Sequence, residues 1–425
     1  MQKIAKNKYF FAFFFLYWSC FLAGCSEKKS LEKYPVIDVA EIVGVYQRVY
    51  CSDYFSSIEL IPLETNNSVL VGGAPVVLVN DSLIFVNSIV AYDRVPFPQN
   101  IHVFNHSGKF LNQIGSIGRG PSEFLGIVDF FLNHEEPIVY VADHLNILEY
   151  GLNGNFIGSF DIPKLDGNSF MKFSYLEDGL FIGAFSYNTT ISYKYCLFDR
   201  KGDIVECFPA RFISKTRLNN AFALSSITPF RLYNQLYVMD FINDTLYTFI
   251  NKSLQPAYVF DFGKYSYPTG GIDDEGKIEI FNVSGANAIR YMRIISVAGT
   301  PKYLFYNLYV PTALTRPIAV FRDDIVLGIY NIADNTNILL DTDQHLQKGL
   351  INDINGGLSF FPKYYAGNGV VVDIWQAEDI KEILTEEYFA SIEIKDQEAH
   401  QKLRELLENL DWEDNPVVVL AKLKQ

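Results

Sequence analysis

Alternating apolar and polar positions recur along the chain as pairs of short runs joined by polar turns. Four segments share one pattern: an apolar and aromatic run, a turn rich in Asn, Gly or Lys, and a second run. They begin at Val103, Glu149, Leu197 and Thr248. Their turns lie at positions 108, 154, 202 and 253, so the steps are 46, 48 and 51 residues. Alternating runs around such turns predict β-hairpins.

Each of these hairpins follows another apolar run, which predicts an additional strand in every unit. The four runs are Leu83–Val86, Ile138–Val141, Leu180–Ala184 and Leu236–Met239. A repeat of about 40–50 residues with about four strands has the size of one β-propeller blade. A β-sandwich would show strands without this fixed period. The pattern therefore predicts an all-β propeller.

The second half of the chain continues the strand pattern with less regularity. Apolar runs between residues 291 and 341 predict a fifth blade with an insertion at residues 310–322. Runs at residues 358–361 and 370–375 are expected to begin a sixth blade. Helical spacing then follows from Gln376 to Leu410, and Asp396 is the expected N-cap of the last helix.

Two apolar runs near the ends of the chain complete this architecture. The run Ile58–Leu63 reads as an early strand, and Val417–Leu423 reads as a late one. A ring of blades with an open edge would invite aggregation. We therefore expect a six-bladed propeller that is closed by these N- and C-terminal strands, with the helical segment as an excursion. The propeller is expected to span residues 55–425.

The first 25 residues have the features of a lipoprotein signal. Lys3, Lys6 and Lys8 precede an apolar run of 13 residues, Tyr9–Phe21, which is too short to cross a bilayer. The run ends in a lipobox, Leu-Ala-Gly-Cys, whose last residue is Cys25. We expect residues 1–24 to be removed, Cys25 to be acylated and residues 25–54 to form a linker.

This anchor predicts a place in the cell envelope. Two or three acyl chains bind a membrane stably. Ser26 supplies no strong retention signal for the inner membrane, so an outer-membrane lipoprotein is favoured. Whether it faces the periplasm or the cell surface stays open.

Charge narrows the classes of partner. Without the signal segment the chain carries 32 basic and 49 acidic side chains, a net charge of −17. Nucleic acids and anionic lipid surfaces are bound through basic patches, so both are disfavoured as partners. Apart from its membrane anchor, the chain is expected to act as a monomer that binds a glycan, a peptide or an envelope protein.

Cys196 and Cys207 flank the turn of the third hairpin. If the hairpin pairs symmetrically, the two side chains lie opposite each other. An oxidising periplasm would permit a disulfide between them, but two facing small apolar side chains fit the pattern equally well. Three cysteines after Cys25 are too few for a disulfide scaffold.

Three further segments resemble a known family. They are residues 114–124 (IGSIGRGPSEF), residues 352–357 (NDINGG) and the closing residues 414–417 (DNPV). The chain resembles, over residues 55–425, the six-bladed β-propeller lipoproteins of anaerobic gut Gram-negative bacteria, which are related to NHL-repeat propellers. It departs from them at Ser122, where glycine is expected, and in its weak fourth hairpin. The resemblance implies the fold and the envelope location, and it implies no reaction.

The glycine-rich segment 118–123 is the first of the motifs that could carry chemistry. It lacks the Lys-Ser/Thr ending and the following helix of a phosphate loop. We expect a crossover between blades, with glycines at positive φ and with Arg119 paired to Glu123.

Four of the six histidines, at positions 102, 106, 134 and 144, fall close together in the sequence. None has the spacing of a metal-binding helix, so no metal site is expected, and no cofactor motif appears.

The chain is thus predicted to be a non-enzymatic binding or interaction module. Its binding face is expected where loops follow second strands and where the chain crosses between blades. The candidate residues are Arg94, Arg119, Glu123, Asp143, His144, Asp240 and Asp353. The alternative is a lyase or hydrolase with its site at the central channel. Three or more His, Asp or Glu side chains at one channel mouth would favour that alternative, whereas scattered hydroxyl and aromatic groups would favour binding.

Overall fold

The fold is known from a computed structural model that describes most of the chain after residue 33. The described residues are 34–67, 69–72, 75–92, 95–185, 192–210, 212–214, 229–232, 235–239, 244–266, 269–272, 278–280, 291–311, 325–341 and 348–425. For residues 88–92, 95–99, 212–214, 269–272 and 278–280 only the backbone is described.

Six antiparallel sheets form the blades of a β-propeller. In each blade we name the strands A to D, from the strand nearest the central channel outwards. In blade I, strands A to D are Val76–Val79, Leu83–Tyr92, Val95–Asn105 and Phe110–Ile114. In blade II they are Asp129–Leu132, Ile138–Ala142, Asn146–Gly151 and Phe156–Asp161. In blade III they are Phe170–Tyr175, Leu180–Phe185, Tyr193–Asp199 and Ile204–Pro209.

Blades IV to VI repeat this order, and blade VI combines both ends of the described chain. In blade IV, strands A to D are Phe230–Leu232, Gln235–Met239, Thr245–Ile250 and Ser253–Asp261. In blade V they are Arg293–Gly299, Tyr303–Tyr309, Ile325–Asn331 and Asn337–Leu340. In blade VI they are Tyr364–Gly367, Val370–Trp375, Val417–Leu423 and Phe55–Pro62. A small separate sheet joins Phe212–Ser214, Thr269–Ile272 and Ile278–Ile280.

The ring closes through the strands that the sequence predicted. Strand Phe55–Pro62 pairs antiparallel with Val417–Leu423, in a register that places Val417 opposite Pro62. The expected sixth blade is therefore confirmed. Its first strand is Tyr364–Gly367, however, and not residues 358–361. That segment forms a single bridge, from Phe360 to Leu350, because its apolar side chains pack against the core beside the sheet.

The fourth hairpin, whose sequence repeat is weak, has regular hairpin geometry. Strands Thr245–Ile250 and Ser253–Asp261 are joined by Asn251 and Lys252, which both have positive φ, 49° and 64°. Two successive left-handed residues make the tight turn that matches the twist of a hairpin. The hairpin lacks a turn glycine, which is why the sequence repeat looked weak there.

The core of the propeller consists of interfaces between neighbouring blades. Within the described residues, buried apolar side chains form six clusters, each of which joins one blade to the next around the ring. Aromatic rings meet across these interfaces, as in the stacked pair Phe131 and Phe173 of blades II and III. Stacked aromatic side chains bury much apolar area, and the richness in Phe and Tyr serves this packing.

The helical excursion leaves blade VI between its strands B and C. It consists of three helices, Ala377–Ile383, Glu386–Ala390 and Gln397–Asn409. Asp396 caps the last of them, because its side chain accepts a hydrogen bond of 3.0 Å from the amide of Ala399. Leu403 is fully buried against the cluster that joins blades V and VI. No helix in the described part of the chain is long and apolar enough to span a membrane.

The segment before blade VI packs along the outside of the ring. Val36–Asp38 pairs in parallel with strand D of blade IV, and Tyr46–Gln47 pairs in parallel with strand D of blade V. A short helix, Cys51–Tyr54, and a 3-10 turn, Gly263–Tyr265, complete the elements. Residues 36–54, which the sequence analysis assigned to a linker, are therefore part of the propeller.

Antiparallel strands give the propeller two distinct faces. The turns from A to B and from C to D lie at one end of each blade, which we call the turn face. The loops from B to C and the links to the next blade lie at the other end, which we call the crossover face. Among the predicted binding residues, the described ones belong to the crossover face by this topology: Arg119, Glu123, Asp143, His144 and Asp353.

Candidate functional site

A cavity lies at the turn face, where the turns between strands A and B converge on the channel. It has a volume of about 440 Å³ and is lined by residues from five of the six blades. Its lining residues are His134, Glu135, Tyr175, Leu176, Glu177, Arg231, Pro301, Tyr365, Ala366, Gly367 and Asn368. We call this cavity the channel mouth.

Arg231, at the centre of strand A in blade IV, supplies the cation of the channel mouth. Its guanidinium group donates hydrogen bonds to the backbone carbonyls of Tyr175 and Leu176 in the neighbouring blade. These contacts hold the guanidinium in place beside the cavity, and they join blades III and IV. The carboxylates of Glu135 and Glu177 lie close enough to interact with its charge.

Glu135 and Tyr175 form the second fixed contact of the channel mouth. The Tyr175 hydroxyl donates a 2.6 Å hydrogen bond to Oε2 of Glu135, and the amide of Gly179 donates to the same hydroxyl. Burial and the Glu135 contact both raise the pKa of Tyr175. The ring of Tyr175 stacks on Tyr140 of blade II. Both ends of the contact are thus anchored in packed blades.

His134 occupies the turn of blade II at the edge of the cavity. More than a third of its surface is open to solvent, yet protein atoms crowd its ring. This crowding, together with the positive charge of Arg231, lowers the pKa of His134 to about 4. Its imidazole is therefore neutral at pH 7 and can both donate and accept a hydrogen bond.

The described residues contain no group of three His, Cys, Asp or Glu side chains that could hold a metal ion. The histidines with neighbouring sequence positions point into different surroundings. His102 is buried in blade I, His106 contacts the carbonyl of Asn80, and His144 is exposed on the crossover face.

On the crossover face, the structure brings together four of the predicted site residues. Glu123 and Asp143 lie on neighbouring loops, since the amide of Leu125 donates a 3.4 Å hydrogen bond to Asp143. Arg119 and His144 are exposed beside them. Asp143 is buried and accepts two further bonds of 2.7 Å from the amides of its own turn, at positions 145 and 146. It shapes a loop.

The predicted pair of Arg119 and Glu123 does not form. Glu123 instead accepts a 2.7 Å hydrogen bond from the amide of Gly120, and no ion pair joins it to Arg119 among the described residues. The expected positive φ at Gly118 and Gly120 is also wrong. Positive φ occurs at Gly115, with φ of 57°, whereas Gly118 leaves room for the Glu123 carboxylate.

Asp353 lies apart from these residues, in the link between blades V and VI. It is 2% exposed, and it accepts hydrogen bonds from the amide and the hydroxyl of Ser52 at 2.9 and 2.5 Å. Nζ of Lys395 lies 2.7 Å from its second oxygen. Burial raises the pKa of Asp353, but the bonds from Lys395 and Ser52 outweigh it and hold the pKa below 3.8. Asp353 thus joins three segments of the fold: its own link, the segment of Ser52 and the segment of Lys395.

The remaining predicted positions divide into two groups. Arg94, Asp240 and the lipidation site Cys25 lie outside the described residues or side chains. Cys196 and Cys207 lie opposite each other in strands C and D of blade III, as the symmetric hairpin predicts. Their Cα atoms are 4.0 Å apart, and the structure joins their side chains in a disulfide.

The sequence also matches a protein family over most of its length. The family described as "Domain of unknown function (DUF4934)" matches residues 34–422. The chain belongs to this family. A comparison with curated proteins found no match.

The chain can also be compared with solved structures. A protein of Bacteroides fragilis NCTC 9343, named as an exported protein, has 18% sequence identity and a TM-score of 0.63. The alignment covers 92% of this chain and 100% of that one, so the two share a fold. A protein of the DUF4221 family from Bacteroides vulgatus has 10% identity and a TM-score of 0.47, with 87% and 97% of the two chains covered.

The family match begins at residue 34, which agrees with the start of the propeller in the structure. The sequence analysis missed the residues of the channel mouth, above all His134, Glu135, Glu177 and Arg231. The signal was present, because these positions lie three to five residues before the predicted second strands of blades II, III and IV. Reasoning from the sequence searched only the loops of the other face.

Proposed function

We propose that the chain is a lipid-anchored envelope protein that binds a ligand at the channel mouth without turning it over. The observation that carries this proposal is the convergence of turns from four blades and of Arg231 from a fifth on one cavity. A cavity of 440 Å³ lies within the range of sites that hold small molecules or short chains. The ligand classes expected are glycans, peptides and segments of envelope proteins.

The fixed polar contacts around the cavity support recognition. Arg231 is held by two carbonyls, and Glu135 is held by the hydroxyl of Tyr175. Side chains that are already positioned lose little conformational entropy when a ligand binds. The arrangement is therefore a preorganised polar surface.

Binding can be tested with a panel of glycans and peptides against the purified full chain. We expect at least one ligand whose affinity falls when Glu177→Gln changes the channel mouth. Glu408→Gln is the matched control, because Glu408 is exposed on the last helix, far from the cavity. A ligand whose affinity responds to neither substitution would place the binding surface elsewhere.

The crossover face offers one such place. Arg119 and His144 remain exposed there, beside the half-exposed Leu125 and Leu145. Arg119→Ala removes an exposed side chain, so it is expected to change the stability by less than about 0.5 kcal/mol and to leave the ligand bound. If the protein keeps its melting temperature but loses its ligand, the binding face is the one that the sequence analysis chose.

The membrane anchor is part of the proposal. The basic residues, the short apolar run and the lipobox ending at Cys25 all support acylation and an outer-membrane location. Cys25→Ala should leave a precursor without lipid and release the protein from membranes. If detergent partitioning and lipid content by mass spectrometry stay unchanged, the anchor lies elsewhere. The relationship to NHL-repeat propellers stays a prediction from the sequence resemblance.

A second candidate function is a lyase or hydrolase at the same cavity. One observation favours it: His134, Glu135 and Glu177 all line one channel mouth, and a neutral imidazole can act as a general base. Turnover of any bound panel member, lost in His134→Gln while binding persists, would establish this alternative.

A further inference from the structure

A second cavity adjoins the channel mouth on the turn face. It has a volume of about 320 Å³ and lies between blades VI and I. Its polar lining comes from Glu59 on strand D of blade VI, Asp81 and His106 on turns of blade I, and Lys422 on strand C of blade VI. We call it the inter-blade groove. Its lining reaches from strand A to strand D of blade VI, whereas the channel mouth is lined by strand A and the turns that follow it.

One turn of blade VI separates the two cavities. Residues 366–368 line both of them, so the channel mouth and the groove meet across this turn. Gly367, Asn368 and Gly369 all have positive φ, between 50° and 99°. Nδ2 of Asn368 donates a 2.8 Å hydrogen bond to Asp81, and Lys422 donates to the Asn368 carbonyl. The turn is a fixed ridge with a depression on either side.

The charged groups of the two cavities differ in how they are used. Both cations, Arg231 and Lys422, donate hydrogen bonds to backbone carbonyls of the chain itself. Glu177 in the channel mouth and Glu59 in the groove are exposed. Each cavity has two carboxylates and one cation in its lining, Glu135 and Glu177 with Arg231 and Glu59 and Asp81 with Lys422, so both carry a net negative charge. Such a surface attracts donors and cations and repels anions.

We infer that the ligand is an extended basic peptide segment, which lies across the ridge at residues 366–368 and places a cationic side chain in each cavity. The inference rests on the proposed function, since it names the ligand class of the channel mouth. A single sugar or amino acid would occupy one cavity only. Two depressions that share a wall suit a chain whose side chains alternate along an extended backbone.

Isothermal titration of the full chain with tetralysine, lysine amide, tetraglutamate and maltotetraose tests this inference. Tetralysine is expected to bind at least about tenfold more tightly than lysine amide, because it reaches both cavities. Its affinity should fall several-fold as salt rises, since charge attraction is screened. Tetraglutamate and maltotetraose are expected not to bind.

Two single substitutions test the two cavities separately. Glu177→Gln and Glu59→Gln should each weaken tetralysine about threefold to tenfold, and Glu408→Gln should not. If Glu177→Gln weakens tetralysine while Glu59→Gln has no effect, the ligand occupies one cavity and the inference is overturned. If maltotetraose binds at the channel mouth in place of tetralysine, the ligand class is wrong but the proposed function stands. If no member of the panel responds to Glu177→Gln, the proposed function falls as well.

Discussion

Ser52 and Asp353 are 301 residues apart in the chain, yet they are joined by two hydrogen bonds in the structure. Lys395 from the helical excursion binds the same carboxylate and also donates to the Ser52 hydroxyl. One buried acid thus connects the short first helix, the link between blades V and VI, and the excursion. A buried carboxylate with this many donors is costly to neutralise.

Asp353→Asn should lower the free energy of unfolding by about 1–3 kcal/mol, because it removes the charge that these donors bind. Lys402→Ala is the control. It breaks only the exposed pair of Lys402 and Glu398 and should leave the stability nearly unchanged. The folded-state pKa of Asp353 lies below its ordinary value, so its contribution is present at neutral pH and is lost as the pH falls through that lowered pKa. Urea unfolding at pH 7 and pH 3 measures both effects. Equal losses in the two variants would contradict this role.

Ile61→Ala should destabilise the propeller by about 2–4 kcal/mol, because Ile61 is buried in the closing strand, in the cluster that joins blades VI and I. Ile157→Ala makes the same change on the outermost strand of blade II, where the side chain is 56% exposed, and should cost less than about 0.5 kcal/mol. Thermal melts of the two variants compare a closing position with an edge position. Equal melting temperatures of the two variants would contradict closure of the ring by strand Phe55–Pro62.

Gly115→Ala should destabilise the fold by about 2–4 kcal/mol. The backbone there has positive φ, and an added Cβ would lie 2.7 Å from both Phe124 and Tyr150, which are packed between blades I and II. Gly126→Ala is the matched control from the same link, since nothing lies within 4 Å of its Cβ position. The control should be neutral within about 0.5 kcal/mol. Chemical denaturation distinguishes them, and a stable Gly115→Ala protein would show that the link can rearrange.

Lys194 predicts a pH dependence of stability. It is 4% exposed, and burial lowers its pKa to about 7, while Nζ donates a 2.6 Å hydrogen bond to the Phe185 carbonyl. Between pH 7 and the ordinary lysine value, the unfolded chain binds a proton that the folded chain has lost. Stability from this group therefore rises with pH, by an amount on the order of 3 kcal/mol up to pH 9.5. Lys194→Met should abolish that rise. An identical slope in the two proteins would mean that the amine is not buried in solution.

The repeat and the closing strands could be predicted from the sequence because each depends on local patterns. Apolar alternation and turn residues mark the hairpins around Gly108 and Gly154, and a second run at residues 417–423 has no other sheet to join. The start of blade VI could not be placed in this way. Residues 358–361 have the apolar pattern of a strand, but they bury their side chains beside the sheet, and this choice depends on contacts with distant segments.

The same limit explains the candidate site. The roles of Asp143 and Asp353 depend on which backbone amides and side chains the fold brings to them, and an acidic residue in a loop has the same pattern whether it binds a ligand or a turn. The channel mouth depends on turns that are more than forty residues apart in the chain and meet only when the ring closes. The spacing of strands indicates that such turns exist, but not which of their side chains share a cavity.

The pairing of Phe55–Pro62 with Val417–Leu423 also determines the order of events during synthesis. The outer strand of blade VI leaves the ribosome early, and its partner follows only after the other five blades and the helices have been made. Until then neither the ring nor the channel mouth can be complete, because both depend on blade VI. A nascent chain of this design therefore stays short of its native state until its last strand appears.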